Sequence, residues 1–210
     1  MTGMADPGAA EQLSQMIRGS WISQIVGTLA QLEIADHLAR GPQESGILAD
    51  GIGCDPDATF RLLRAAVNIG LVSTLPDGRF GLTPMGELLR SNVPGSLRDS
   101  AIAFTTPGHW LPWGRLAEVV RRGERQTVAA LGHELFDYYA VNPVEGGAFT
   151  GAMANVSDAI ASELAQVLDT SGVDHVVDIG GASVTIVGAL LEANPALRHN
   201  FRTCGRGTSS

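Results

Sequence analysis

Residues 55–90, DPDATFRLLRAAVNIGLVSTLPDGRFGLTPMGELLR, decide the fold of the N-terminal half. Asp55 carries a short acceptor side chain and Pro56 a fixed φ, so the pair predicts an N-cap and a first helical position. Phe60, Leu63 and Val67 then share one helical face, and Gly70 supplies the stop. The runs 71–75 and 79–83 are β-prone, and Pro76-Asp77-Gly78 between them offers the positive φ of a tight hairpin. Thr83-Pro84 predicts another cap, leading a helix over 85–90. A short helix is predicted upstream at 46–52. The order helix, helix, hairpin is that of a winged helix.

Further upstream, Leu13, Met16, Ile17, Trp21, Ile22, Ile25, Val26, Leu29 and Leu32 recur at steps of three and four. That spacing predicts a long helix whose apolar face is too wide for one neighbour to cover. The surplus points to a seam between two copies of the chain, the alternative being the central helix of a monomeric bundle.

Downstream, 95–141 reads as irregular and helical, with Phe104, His109, Trp110 and Trp113 ahead of an exposed helix around 115–122. Asn142-Pro143 starts a helix expected to reach about residue 169, on which Val144, Phe149, Met153, Val156, Ile160, Leu164 and Leu168 keep the helical period. After Ser171-Gly172 the pattern changes. Residues 174–179, DHVVDI, read as a short buried strand ending in Gly180-Gly181, and 184–193 as a helix that stops before Pro195. Strand, glycine turn and helix open a βαβ unit, in which the backbone approaches a nucleotide-like ligand at the helix start. Such a turn also occurs as a purely structural element.

Composition narrows the function classes. The 210 residues carry 14 basic and 22 acidic side chains, net −8, and every basic one is arginine. Within 44–90 four arginines face six acids, a poor footprint for a phosphate backbone, so nucleic acid is not the expected partner. Two cysteines, Cys54 and Cys204, make neither a disulfide framework nor a metal clip, which fits a reducing cytoplasm. No metal site is expected from five scattered histidines, and no apolar run is long enough to span a membrane; no basic region precedes an apolar stretch at the N-terminus, where the first positive side chain is Arg18, so no secretory signal is expected. The charge pattern breaks near the end. Residues 1–197 hold all 22 acids and 11 arginines, whereas 198–210 hold Arg198, Arg202 and Arg206 alone. From His199 onward the chain reads as coil, a disordered or out-of-frame tail.

Several segments together resemble the S-adenosylmethionine-dependent O-methyltransferases of the plant caffeate and bacterial polyketide type. They are Arg61-Leu62-Leu63-Arg64-Ala65-Ala66, Gly70-Leu71-Val72, Asp77-Gly78-Arg79-Phe80, the run from Leu82 to Arg90, Trp113-Gly114, Phe149-Thr150-Gly151-Ala152-Met153 and Val176-Val177-Asp178-Ile179-Gly180-Gly181. The resemblance runs from roughly Leu13 to Arg198. It implies a mainly α chain: a winged-helix dimerisation domain over 10–92, helical linker and substrate-side helices over 93–172, and the first β-α unit of an α/β Rossmann-like domain over 173–198. It implies S-adenosylmethionine as cofactor, a small-molecule acceptor, and methyl transfer to a hydroxyl of a small aromatic or polyketide-like compound. Carried over residue by residue, Asp178, Gly180, Gly181 and Ser157 fall to the cofactor, while Phe149 and Met153 line the acceptor site.

Departures from the family are equally specific. The usual Asp-x-Gly-x-Gly-x-Gly becomes Asp178-Ile179-Gly180-Gly181-Ala182-Ser183-Val184, and added side chains crowd the close approach. No acid follows Glu192 to hold a ribose. Only 36 residues follow Asp174, too few for a doubly wound sheet, so the Rossmann-like domain is expected to be truncated and the chain inactive alone. None of His37, His109, His133, His175 and His199 occupies the family's general-base motif, and no catalytic residue is assigned. A dimerisation module without catalysis and a winged-helix transcriptional regulator stay open as alternatives.

Overall fold

The computed structural model describes residues 7–179 and 185–202. The N-terminal unit runs α1 (Pro7–Gln31), α2 (Ile34–Leu38), α3 (Ser45–Ile52), α4 (Pro56–Asn68), β1 (Val72–Thr74), β2 (Phe80–Leu82) and α5 (Pro84–Glu87). Both predicted caps are made. Asp55 Oδ1 accepts the Ala58 N–H at 2.7 Å, and Thr83 Oγ1 accepts the Gly86 N–H at 3.1 Å while donating to the Gly70 carbonyl at 2.7 Å. β1 and β2 pair antiparallel with Val72 opposite Leu82, and Gly78 takes φ 84° in the turn. Leu29, Ile34, Leu48, Leu63, Val72 and Phe80 form the buried centre, so the hairpin and four helices close over one apolar cluster. Removing such side chains from water is the main stabilising term, about 1.5–3 kcal/mol for each.

Two expectations need correction here. α1 stops at Gln31, one residue short of Leu32, because Glu33 adopts φ 53° in the left-handed region and turns the chain. Phe60 is 42% exposed, touching Phe80 edge-on at 6.1 Å, and the buried face of α4 is instead Thr59, Leu63 and Ala66.

The middle of the chain is helical: α6 (Arg98–Ala103), α7 (Pro107–Trp113), α8 (Leu116–Arg122), α9 (Thr127–Leu131), α10 (Leu135–Val141) and α11 (Pro143–Val167). α6 packs between α1 and α11 on a second cluster, in which Ala30, Ala103, Ala148 and Ala152 surround Ile102. Small side chains let helix axes approach closely. At Gly151 a Cβ would collide with the Asp99 carboxylate, so this approach depends on glycine.

The C-terminal part is β3 (His175–Ile179), α12 (Thr185–Ala193) and β4 (Arg198–Arg202), with α12 against α11. β3 and β4 run parallel, His175 opposite Arg198 and Ile179 opposite Arg202. Residues 198–202 therefore form a strand where coil was expected from 199 onward. Parallel pairing uses backbone groups, and with α12 as the crossover it needs no apolar alternation in β4. β3 is also less buried than a parallel-sheet strand was expected to be: Val177 is 50% and Ile179 85% exposed. Among the described residues this sheet has two strands, and one face of β3 has no covering layer. Among the described residues no helix is long and apolar enough to cross a membrane.

Candidate functional site

Pro143 starts α11 with a fixed φ, and 25 residues carry the helix about 37 Å along the molecule. Phe149, Met153 and Ser157 are spaced by four and so lie along one face of it. Phe149 is half-buried and stacked on Tyr139, with ring centroids 4.9 Å apart and planes at 26°. Met153 is half-buried against the small-residue cluster. The Ser157 hydroxyl donates to the Met153 carbonyl at 3.1 Å, which leaves its lone pairs as acceptors. Asp178 stands half-buried on β3, a separate element. Gly180 and Gly181, together with Ala182, Ser183 and Val184, lie outside the described residues.

A polar cluster that no sequence pattern singled out borders Phe149. Glu145, in the first turn of α11, accepts the Gly108 N–H of α7 at 2.9 Å through one oxygen and the Tyr138 hydroxyl of α10 at 3.0 Å through the other. Gly108 is pressed against both tyrosines; a Cβ there would come within 2.6 Å of the Tyr139 ring. Burial first, and then the bond to Glu145, pushes the Tyr138 hydroxyl up to about 12. Burial and the Glu145 charge also raise Tyr139, whose buried hydroxyl has no hydrogen-bond partner among the described residues. His109 sits between Phe104 at 4.9 Å and Trp113 at 6.0 Å, and burial lowers its pKa. The partners within the Glu145 cluster are up to 37 residues apart in sequence, and no local spacing announces them.

Helix α11 is held in register by Asn155. Its amide donates to the Ser96 carbonyl at 2.8 Å and accepts from the Ser100 hydroxyl at 3.0 Å, tying α11 to α6 and to the segment just before it. Arg98 on α6 reaches Glu33 at 3.0 Å, so α6 is in turn tied to the end of α1.

Two family profiles match in the order of these elements: the O-methyltransferase dimerisation domain over residues 14–92 and the O-methyltransferase domain over 113–201. The chain belongs to the O-methyltransferase family. Among its relatives, the O-demethylpuromycin-O-methyltransferase of Streptomyces alboniger is 33% identical over 195 residues, 90% of this chain and 51% of that one. The solved structure of LaPhzM matches with TM-score 0.86 at 31% identity, covering 91% of this chain and 57% of LaPhzM. CalO1, a methyltransferase of calicheamicin biosynthesis solved in its SAH-bound form, matches with TM-score 0.75 at 28% identity over 95% of this chain and 60% of CalO1. The chain thus spans about half the length of the curated relatives it matches.

Of the residues that the resemblance assigns to the cofactor, the structure describes Ser157 on α11 and Asp178 on β3. Ser157 presents acceptor lone pairs and Asp178 a carboxylate near the strand end. Among the described residues one face of β3 has no cover. The fit to S-adenosylmethionine is therefore incomplete on these residues, and no chemical step is assigned to it here.

Proposed function

We propose that this O-methyltransferase-family chain forms the dimerisation and acceptor-side part of an S-adenosylmethionine-dependent O-methyltransferase acting on a hydroxyl of a small aromatic or polyketide-like molecule. The observation that carries this reading is the register of Phe149, Met153 and Ser157 on one face of α11, inside the stretch matching the methyltransferase-domain profile. In this reading Phe149 and Met153 supply an apolar wall for a planar acceptor, and the Tyr139 ring backs Phe149. Ser157, Asp178, Gly180 and Gly181 face the cofactor. The chain works as a homodimer through its N-terminal helices, in the cytoplasm, where its sparse cysteines stay reduced.

The 210-residue chain alone is expected to show no saturable S-adenosylmethionine binding below about 1 mM and no methyl transfer, because missing charge-assisted bonds to a ribose weaken binding roughly tenfold to a hundredfold. The reading is tested by grafting the remainder of LaPhzM after residue 179. Transfer of labelled methyl to phenols or hydroxynaphthalenes is expected from the chimera and is expected to fall in Phe149→Ala and Met153→Ala. A folded chimera that binds S-adenosylmethionine and methylates none of these hydroxyls overturns the reading.

A further inference from the structure

α7, α10 and α11 meet at a corner that two glycines keep close. A Cβ on Gly108, in the first turn of α7, would lie 2.6 Å from the Tyr139 ring and 3.1 Å from both the Tyr138 ring and Glu145 Oε2, and one on Gly146 would lie 3.0 Å from the Tyr139 carbonyl oxygen. Apolar contact is non-directional, so it does not fix how the helices are turned. Hydrogen bonds do, because they weaken steeply away from the donor axis. Glu145 supplies them from the first turn of α11: one oxygen takes the Gly108 N–H at 2.9 Å, the other the Tyr138 hydroxyl at 3.0 Å. The first N–H groups of a helix have no partner inside it, and Thr106 at the N-cap of α7 makes no side-chain cap, so Glu145 caps α7 from another helix. α10 is seven residues long, too short to hold a helical shape by itself in water. Its place depends on what it is tied to.

Glu145 precedes Phe149 by four residues, one turn along the same face of α11. Tyr139, next to Tyr138 on α10, is 7% exposed, and its ring stacks on Phe149. We propose that Glu145 is a positioning residue for the acceptor wall: by tying α7 and α10 to the start of α11 it holds the Tyr139 ring, and through it the plane of the Phe149 ring on which a flat aromatic hydroxyl compound lies. This rests on the reading of Phe149 and Met153 as the acceptor side and names what keeps that side in shape. Glu145 itself touches neither acceptor nor cofactor. It acts on affinity, since a wall already held in its bound shape spares the cost of ordering it when the acceptor arrives. The two bonds also define the side chain required. Glutamine has the same reach and can accept the Gly108 N–H while donating to the Tyr138 oxygen, whereas leucine does neither.

The test uses the full chain, isotope-labelled at its five methionine methyls, with 2-naphthol as the probe in a nuclear magnetic resonance titration. The Met153 methyl signal, identified by its loss in Met153→Leu, is expected to shift saturably in wild type while that of Met85 on α5 stays in place. Phe149→Ala is expected to weaken the response. Glu145→Leu is expected to weaken 2-naphthol binding by about fivefold or more, and Glu145→Gln to stay within about twofold of wild type. That rescue separates the two hydrogen bonds from the carboxylate charge. Gly108→Ala, which pushes α7 off the Tyr139 ring with Glu145 intact, is expected to act like Glu145→Leu, and it decides the matter if Glu145→Leu loses its helical circular dichroism. A wild-type Met153 signal that ignores 2-naphthol, or a response that Phe149→Ala leaves unchanged, overturns the acceptor reading and the proposal with it. A response that Phe149→Ala weakens and a folded Glu145→Leu leaves unchanged overturns the role of Glu145 alone, as does a Glu145→Gln variant as weak as Glu145→Leu.

Discussion

Glu145 reaches the backbone of one helix and the hydroxyl of another from its place in α11, and its charge adds to the burial that raises both tyrosines in the chain. Because Tyr138 and Tyr139 are each raised, the folded protein is expected to show little phenolate absorbance at 295 nm at pH 10, with Tyr138 titrating near 12. A raised folded-state pKa means that the unfolded chain loses its proton first. The stability these hydroxyls contribute is thus complete below pH 10 and declines as pH climbs from 10 towards 12. Glu145→Gln, which removes the charge, is expected to bring the first phenolate step down towards 10; a spectrophotometric titration with both tyrosines at 10 in the wild type would contradict this account. The cluster was not legible in the sequence because its bonds join three helices.

Helix α11 was the most legible long element after α1, since Asn142-Pro143 marks its start and the apolar period continues to its end. What holds it in place was not legible. The Asn155 side chain spends both ends of its amide on Ser96 and Ser100, 59 and 55 residues away. Replacing it with alanine leaves a carbonyl and a hydroxyl without their partner in a partly buried seam, at a cost of about 1–3 kcal/mol. Urea unfolding of Asn155→Ala is expected to show that loss, and a cycle with Ser100→Ala a coupling of roughly 0.5–1.5 kcal/mol. An unchanged midpoint would mean that the small-residue packing of α6 on α11 suffices by itself. At β4 the local reading failed for a related reason: Arg198 to Arg202 has no strand pattern, and it is a strand because β3 offers it a backbone ladder.

For the molecule as a whole, a net charge of −8 and the four arginines against six acids of the winged helix set its response to polyanions. Binding to random duplex DNA at physiological salt is expected to be weaker than the nonspecific range of roughly 10⁻⁴ to 10⁻⁶ M. A mobility shift at low micromolar protein that fades steeply with salt would restore the regulator reading. Caps, turns and helical periods were determined by the sequence alone, because each depends on neighbours within about four residues: Asp55 with Ala58, Thr83 with Gly86, the Gly78 turn. Together with the quoted segments they also determined the family. Only the tertiary structure decided which apolar faces are covered. Leu63 is fully buried, while Trp21 on α1 and Ile179 on β3 remain open, because coverage depends on elements tens of residues away and on where those elements meet.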